Sequence, residues 1–332
     1  MALKLICVEC GGQTDQDYYI TCHEIPTLPN EDKMPSILQE LQSILAKHEG
    51  LYKKDDSEKK DTKTLKNQVE NDLTSLLDTI ENRWLGFHKV LLLGKSNREE
   101  FVQEAVKELE DKYFNAKNFV KSGKKKLLHK ILDGYEVLTE EQYHKSTWTL
   151  FDHKRPPKEF LRDARSKIKD LPQVGQRRPT VLILDREVQS MPWEALKFLD
   201  KHPLSRVPSI HTLALLHQTH FIPNADSVAK AGKVREDKIF YVLNPDKNLT
   251  KTEERLKETF KNNLGDGVIS EQPTLPQMQT VLQKMDAYMY CGHGSNLRNL
   301  KLQDIEKLYI RSVPLLFGCN SGKLERIGNV QL

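Results

Sequence analysis

The 332-residue chain lacks most of the features that assign a protein quickly. No apolar stretch approaches the roughly 20 residues that a membrane-crossing helix needs. That excludes a helical membrane span. Five cysteines, Cys7, Cys10, Cys22, Cys291 and Cys319, follow no regular spacing, so a disulfide framework is excluded too. Neither sign of charge dominates: 51 basic and 47 acidic residues leave +4, which argues against a dedicated nucleic-acid binder. The opening Met1-Ala2-Leu3-Lys4-Leu5-Ile6-Cys7 is too short for a signal-peptide core, so an intracellular protein is expected. No repeat of solenoid length is visible. Gly94-Lys95-Ser96 ends like a phosphate loop, but Lys89 stands where the first glycine is required, so the cradle is missing.

What is present suits a globular protein. Hydrophobic residues make up 38% and charged residues 30%, enough for a core with a polar surface. The length allows two domains, or one with an insertion. Leu5–Val8 and Tyr18–Cys22 read as strands around the turn-rich Gly11–Asp15. Residues 35–49 carry apolar side chains at helical spacing, and Lys53–Lys63 reads as a solvated insertion. Leu65, Val69, Leu73, Leu76, Leu77, Ile80 and Trp84 form one helical stripe that Gly86 breaks. Val90–Leu93 then reads as a buried strand, and 98–121 and 124–133 as helices. Pro156-Pro157 reads as a linker. Beyond it strands alternate with helices: strands at Val181–Leu184, Ile239–Leu243, Ala287–Cys291 and Val313–Phe317, helices near 212–218, 251–261 and 275–285. That alternation predicts an α/β fold with a mainly parallel sheet covered by helices.

The last two of these strands end alike. Gly292-His293-Gly294 closes one and Gly318-Cys319 the other, and Cys319 follows His293 by 26 residues. Ligands of open α/β sheets lie beyond the carboxyl ends of the strands, so both side chains are expected at one crevice. A cysteine beside a histidine is the minimum equipment for a thiol nucleophile and its base. The backbone N–H groups of Gly294 and Cys319 are candidate donors to an oxyanion. A helix starting at Asn320-Ser321-Gly322-Lys323 would lower the thiol pKa. The residues alone leave a second reading open, a buried cysteine after a strand and a turn histidine.

Other candidates are weaker. Trp193-Glu194 reads as a packed indole and a paired or capping carboxylate rather than a site. Cys291 belongs to its apolar run. Cys7, Cys10, Cys22 and His23 invite zinc, but neighbours on a strand face opposite sides, so no metal is expected. Gly123-Lys124-Lys125-Lys126 reads as a solvated helix start, and Glu159-Phe160-Leu161-Arg162 as a helix face.

Taken together, Tyr290-Cys291-Gly292-His293-Gly294 and Leu315-Leu316-Phe317-Gly318-Cys319-Asn320-Ser321 closely resemble the two catalytic motifs of separase, a caspase-like cysteine endopeptidase. Val181–Asp185 with Met191-Pro192-Trp193-Glu194-Ala195-Leu196, Ser205–Ser209, Leu243-Asn244-Pro245 and the stretch Leu76–Gly94 resemble further family segments in the same order. The resemblance implies a catalytic caspase-like domain over 156–332, preceded over 1–155 by a non-catalytic, pseudo-protease-like half. It implies Cys319 as nucleophile, His293 as base and acid, Gly294 in the oxyanion hole, and neither metal nor organic cofactor. It further implies cleavage after arginine in the kleisin subunit of cohesin at anaphase, a securin-type inhibitor as partner, and a cytoplasmic and nuclear location, with no membrane or direct nucleic-acid partner. The alternative is an inactive module that binds securin or a regulator. Asn320 departs from the small residue expected after the nucleophile. The sequence ends 13 residues after Cys319, where the family continues, so a C-terminally truncated protease region without a complete arginine pocket is expected. No residue is assigned to substrate binding.

Overall fold

The computed structural model describes residues 3–10, 18–25, 34–51, 59–114, 123–185, 188–220, 228–294, 307–318, 326–327 and 330–331. Two compact units divide between Arg206 and Val207.

The first unit opens with an antiparallel hairpin, β1 (Leu3–Cys10) and β2 (Tyr18–Ile25), in register from Leu3 opposite Ile25 to Cys10 opposite Tyr18. Helices α1 (Met34–Leu51) and α2 (Lys59–Asp78) follow. Of the expected solvated insertion, 53–58 lie outside the described residues, and Lys59–Lys63 are already helical. A charged run does not oppose a helix when an amphipathic stripe directly follows it. That stripe is real. Val69, Leu76, Ile80 and Trp84 are buried with Ile37, Leu41 and Ile44 of α1. The helix widens into an underwound π-helical segment at Thr79–Leu85, which ends at Gly86, whose φ of +54° favours glycine.

Val90–Leu93 is buried as expected, but the expected strand is absent: Gly86–Leu92 winds as a 3₁₀ helix and Leu93 leaves it extended. A four-residue apolar run has the same signature in either conformation. The packing shows why winding prevails. Leu92 and Leu93 enter the α1–α2 core, whereas Val90 and Leu91 enter a second one. A strand would send alternate residues, not consecutive pairs, to opposite sides.

The second core is built from α3 (Glu99–Tyr113), α4 (Lys124–Asp133), α5 (Glu140–Leu150) and α6 (Lys158–Asp170). Helix α5 starts at a capping box, Thr139 with Gln142. Phe160 and Ala164 of α6 share this core with Val102 and Val106 of α3, so Pro156-Pro157 does not separate two cores. Phe160 is fully buried, which makes Glu159–Arg162 a helix face. Strands β3 (Thr180–Leu182) and β4 (Leu204–Arg206) pair in parallel.

The residues that mimic a phosphate loop belong to a buried polar knot. Lys89 is buried, with its ammonium near Glu81 and Asn82. Arg98 and Arg177 both donate to the carbonyl oxygen of Asp133 at 2.6 Å, and both pair with Glu136. Arg177 also donates to the Asp133 carboxylate at 2.8 Å and to the Gly94 carbonyl at 3.0 Å. The Gly94 N–H donates to His202 Nε2 at 3.0 Å. A Cβ on Gly94 would lie 1.9 Å from the carbonyl oxygen of Arg178. Gly94→Ala is therefore expected to destabilise the unit by more than about 3 kcal/mol, checked by urea titration, because backbone rather than a yielding side chain fills the space.

The second unit carries α7 (Ile210–His220), the short α8 (Val228–Ala231), β5 (Ile239–Leu243), α9 (Thr250–Asn263), β6 (Gly267–Ile269), α10 (Leu275–Lys284), β7 (Ala287–Cys291) and β8 (Val313–Leu316). A small antiparallel pair, β9 (Arg326–Ile327) and β10 (Val330–Gln331), follows. Four strands form one parallel sheet in the order β6-β5-β7-β8. Strand β5 is buried along its whole length, as a central parallel strand must be. Alternation divides the side chains cleanly. Phe240, Val242, Tyr288 and Tyr290 pack on Met278, Val281 and Leu282 of α10. Tyr241, Leu243 and Cys291 pack on Phe260 of α9.

Asp286 pins the amino end of β7. Its N–H donates to the Lys238 carbonyl and its carbonyl accepts from Val313, while its carboxylate pairs with Arg235 at 3.0 Å and with Arg311. Burial pushes this carboxyl up, yet the hydrogen bonds from Arg235 and Arg311 outweigh it and hold the pKa at about 2. An unfolded aspartate titrates near 4. The contribution is thus complete above that range and is lost as pH falls from about 4 towards about 2. Asp286→Asn is expected to cost about 2 kcal/mol at neutral pH and to flatten the acid limb of stability, measured by denaturant titration across that window.

Candidate active site

In the four-stranded sheet the chain leaves β5 for β6 on one side, then returns past β5 to β7 and on to β8. The strand order therefore reverses between β5 and β7, and crevices of open α/β sheets form at such a switch point, outside the carboxyl ends. Leu243 pairs with Cys291 as the last register position of the two strands. The next residues of each are Asn244-Pro245 and Gly292-His293-Gly294.

His293 is exposed at this end, and its backbone is held from several sides. The buried Tyr290 donates its hydroxyl to the His293 carbonyl at 2.7 Å. Asn244 N–H donates to the Cys291 carbonyl at 2.8 Å, and Phe317 N–H donates to the Tyr290 carbonyl at 2.8 Å. Gly292 is needed because a Cβ there would lie 2.5 Å from the Tyr290 hydroxyl and 3.0 Å from Pro245 Cδ. Gly294 is buried with φ +71°, a conformation that glycine enters without strain. An imidazole on so constrained a backbone, open to solvent, can exchange protons with a bound group.

Asn244 is itself anchored. It is buried in the left-handed region at φ +50°, which asparagine tolerates better than most residues. Its side-chain oxygen accepts from Leu249 N–H at 2.8 Å and its amide donates to Glu253 at 2.7 Å. Ser270, just past β6, donates its hydroxyl to the same Glu253 oxygen. Hydrogen bonds from Ser270 and Asn244 hold the Glu253 carboxyl below the usual range, so it is ionised at neutral pH.

Cys319 lies outside the described residues. Strand β8 leads towards it: Tyr290 pairs with Leu316, and His293 and Cys319 each follow those paired residues by three positions in the sequence. Cys291 is a buried core thiol, as expected from its apolar run, and burial pushes its pKa up, which makes it a poor nucleophile. In the first unit Trp193 packs against Trp84, with ring centroids 6.0 Å apart, and donates its indole N–H to Val188. Glu194 pairs with Arg206, so both residues are structural there. The backbone of the zinc candidates Cys7, Cys10, Cys22 and His23 lies in the first hairpin, and their side chains fall outside the described residues. Among the described residues no cluster of histidine, cysteine, aspartate or glutamate could hold a metal, and no helix is long and apolar enough to cross a membrane.

Sequence reasoning names His293 and Gly294 and includes Tyr290 in their motif without its hydroxyl contact, but it misses Glu253 and Ser270 as parts of this strand end. Asn244 carried a signal, an Asn-Pro step closing an apolar run. Glu253 carried none, because a glutamate in the first turn of a charged helix reads as a dipole partner.

A parallel sheet covered by helices, its strand order reversing beside a glycine-flanked histidine, defines an α/β domain of caspase-like fold. Residues 120–332 match the family model for the separin protease domain. Mouse separin is 31% identical over 309 residues, covering 93% of this chain and 14% of that protein. Separin of Schizosaccharomyces pombe is 32% identical over 155 residues, 47% of this chain and 8% of its own length. The chain belongs to the separin protease family, the separases. It spans only a small part of these relatives. In solved structures the fold resembles that of separase in the Saccharomyces cerevisiae separase–securin complex at 2.6 Å, with a TM-score of 0.68 and 19% identity over 92% of this chain and 23% of that one.

Gly292→Ala is expected to destabilise the second unit by roughly 1–3 kcal/mol through overpacking. Tyr290→Leu, which removes both the hydroxyl and the ring carbon Cζ that would lie 2.6 Å from the added Cβ, should restore part of that loss. A double-mutant cycle on thermal unfolding measures the coupling, and simple additivity would contradict the contact.

Proposed function

We propose that this chain carries a separase-type cysteine endopeptidase centre with Cys319 as nucleophile and His293 as general base and acid. The observation that carries the proposal is the placement of His293 on a fixed backbone at the switch point of a sheet whose next strand leads to Cys319. Membership in the separin protease family supports it.

The chemistry follows from the residue types. His293 takes the thiol proton, and the Cys319 sulfur adds to the scissile carbonyl carbon. The carbonyl electron pair moves to oxygen, where the N–H groups of Gly294 and Cys319 are proposed as donors. The intermediate collapses by breaking the C–N bond as the imidazolium protonates the departing amine. Water then adds to the thioester with His293 as base, which releases the acid and restores the thiol. No metal or cofactor is required. We assign the kleisin subunit of cohesin, cut after arginine, as substrate, with action on chromosomes in the nucleus and cytoplasm at anaphase. We assign residues 1–155 as the non-catalytic half, a division of role rather than of packing, since one core runs across Pro156-Pro157. A securin-type inhibitor is the proposed partner, supported by the securin-bound state of the yeast neighbours. That same observation favours the second reading, a module that holds securin without cutting.

The test incubates the purified chain, and a longer natural form containing it, with an arginine-containing kleisin peptide. Cys319→Ser and His293→Ala are each expected to lower cleavage by at least about 10². Cleavage by neither form, with securin still bound, would establish the binding module instead.

A further inference from the structure

We propose that Glu253 is a positioning residue for His293, acting through Asn244; this rests on the reading of His293 as catalytic base. The imidazole is exposed, so packing does not fix it and its place is set by the backbone that bears it. That backbone is tied to β5 through the hydrogen bond from Asn244 N–H to the Cys291 carbonyl, two residues before His293. Asn244 donates from a left-handed turn, φ +50°, and Lys247 and Ser270 nearby are left-handed too, at +60° and +56°. A side-chain network stabilises this geometry.

Glu253 is its hub. One carboxylate oxygen accepts from Asn244 Nδ2 at 2.7 Å, at the end of β5, and from Ser270 Oγ at 2.5 Å, at the end of β6. Ser270 N–H closes the circuit on the Leu243 carbonyl at 2.9 Å. The opposite edge of the Asn244 amide accepts from Leu249, the residue before α9. A single carboxylate on α9 thus joins the carboxyl ends of β5 and β6, and Asn244 passes that restraint to β7. Lys257 pairs with the other Glu253 oxygen at 3.9 Å. The network lies at the carboxyl edge, where the chemistry is proposed, rather than at the amino edge, where Asp286 already secures the sheet.

Small displacements of a base are costly: about 1 Å can reduce turnover roughly 10²-fold. Removing the Glu253 carboxylate should relax Asn244 and let the His293 turn shift. Glutamine retains a carbonyl oxygen that can accept from both Asn244 and Ser270, so it should hold the turn without the charge.

The experiment compares wild type, Glu253→Ala and Glu253→Gln in the peptide assay, alongside the NMR ring resonances of His293 in histidine-labelled chain without substrate. The expected result is a kcat lower by about 10- to 100-fold in Glu253→Ala with KM unchanged, at a temperature well below its melting point. Glu253→Gln should retain kcat within about threefold, and His293 resonances should move in the alanine variant only. An unaltered kcat and unmoved resonances in Glu253→Ala overturn the proposal. So does an equal loss in both variants, which would assign the effect to charge. If wild type matches Cys319→Ser, the protease reading fails, and the ring resonances alone decide whether Glu253 positions His293.

Discussion

The pairing of Ile239–Leu243 with Ala287–Cys291 is the constraint on which the second unit depends. Its register decides which face receives the tyrosines and which receives Cys291, because a slip of one residue would exchange the two faces. Once Tyr290 is committed to the α10 face, its hydroxyl reaches forward to the His293 carbonyl. Once Leu243 stands opposite Cys291, Asn244 is placed to donate back across the junction. Core packing and site geometry are therefore one problem in this sheet.

The first unit solves a different problem, with charge. Arg98 and Arg177 converge on the buried Asp133, where isolated ions would be costly, and on the more exposed Glu136. Carbonyl oxygens of Gly94, Asp133 and Pro172 take up further guanidinium donors, while Arg98 Nε makes no hydrogen bond and meets the Asp133 carboxylate only as an ion pair at 3.5 Å. Such a knot joins segments far apart in sequence, from Gly94 to Arg177, with a directional geometry that an apolar core does not specify.

Much of this organisation is legible in the sequence, and the exceptions are instructive. The strands Ile239–Leu243 and Ala287–Cys291 have the expected boundaries, because each is a short apolar run between turn residues and is buried on both faces. The helix expected near 275–285 is found at Leu275–Lys284, where the structure shows it started by a Thr274–Gln277 capping box. Val90–Leu93 defeats the same reasoning, since its conformation is chosen by two cores that only the tertiary structure brings together. At the site, His293 and Gly294 stand out because two neighbouring strands end alike, one in Gly292-His293-Gly294 and the other in Gly318-Cys319. Glu253 and Ser270 do not, because their role is an encounter between residues 17 apart that no local pattern encodes. Cys319 is named by its motif and by the strand that precedes it.

Cys291 is a shielded thiol close to the proposed catalytic histidine. It stands two residues before His293 but faces Phe260, away from water, with its proton held more tightly than usual. A soluble alkylating reagent can reach it only when α9 lifts from the sheet or the strands part. The labelling rate of this one sulfur in the native protein is consequently a clock for the opening of the β5–β7 junction, readable without substrate, inhibitor or partner.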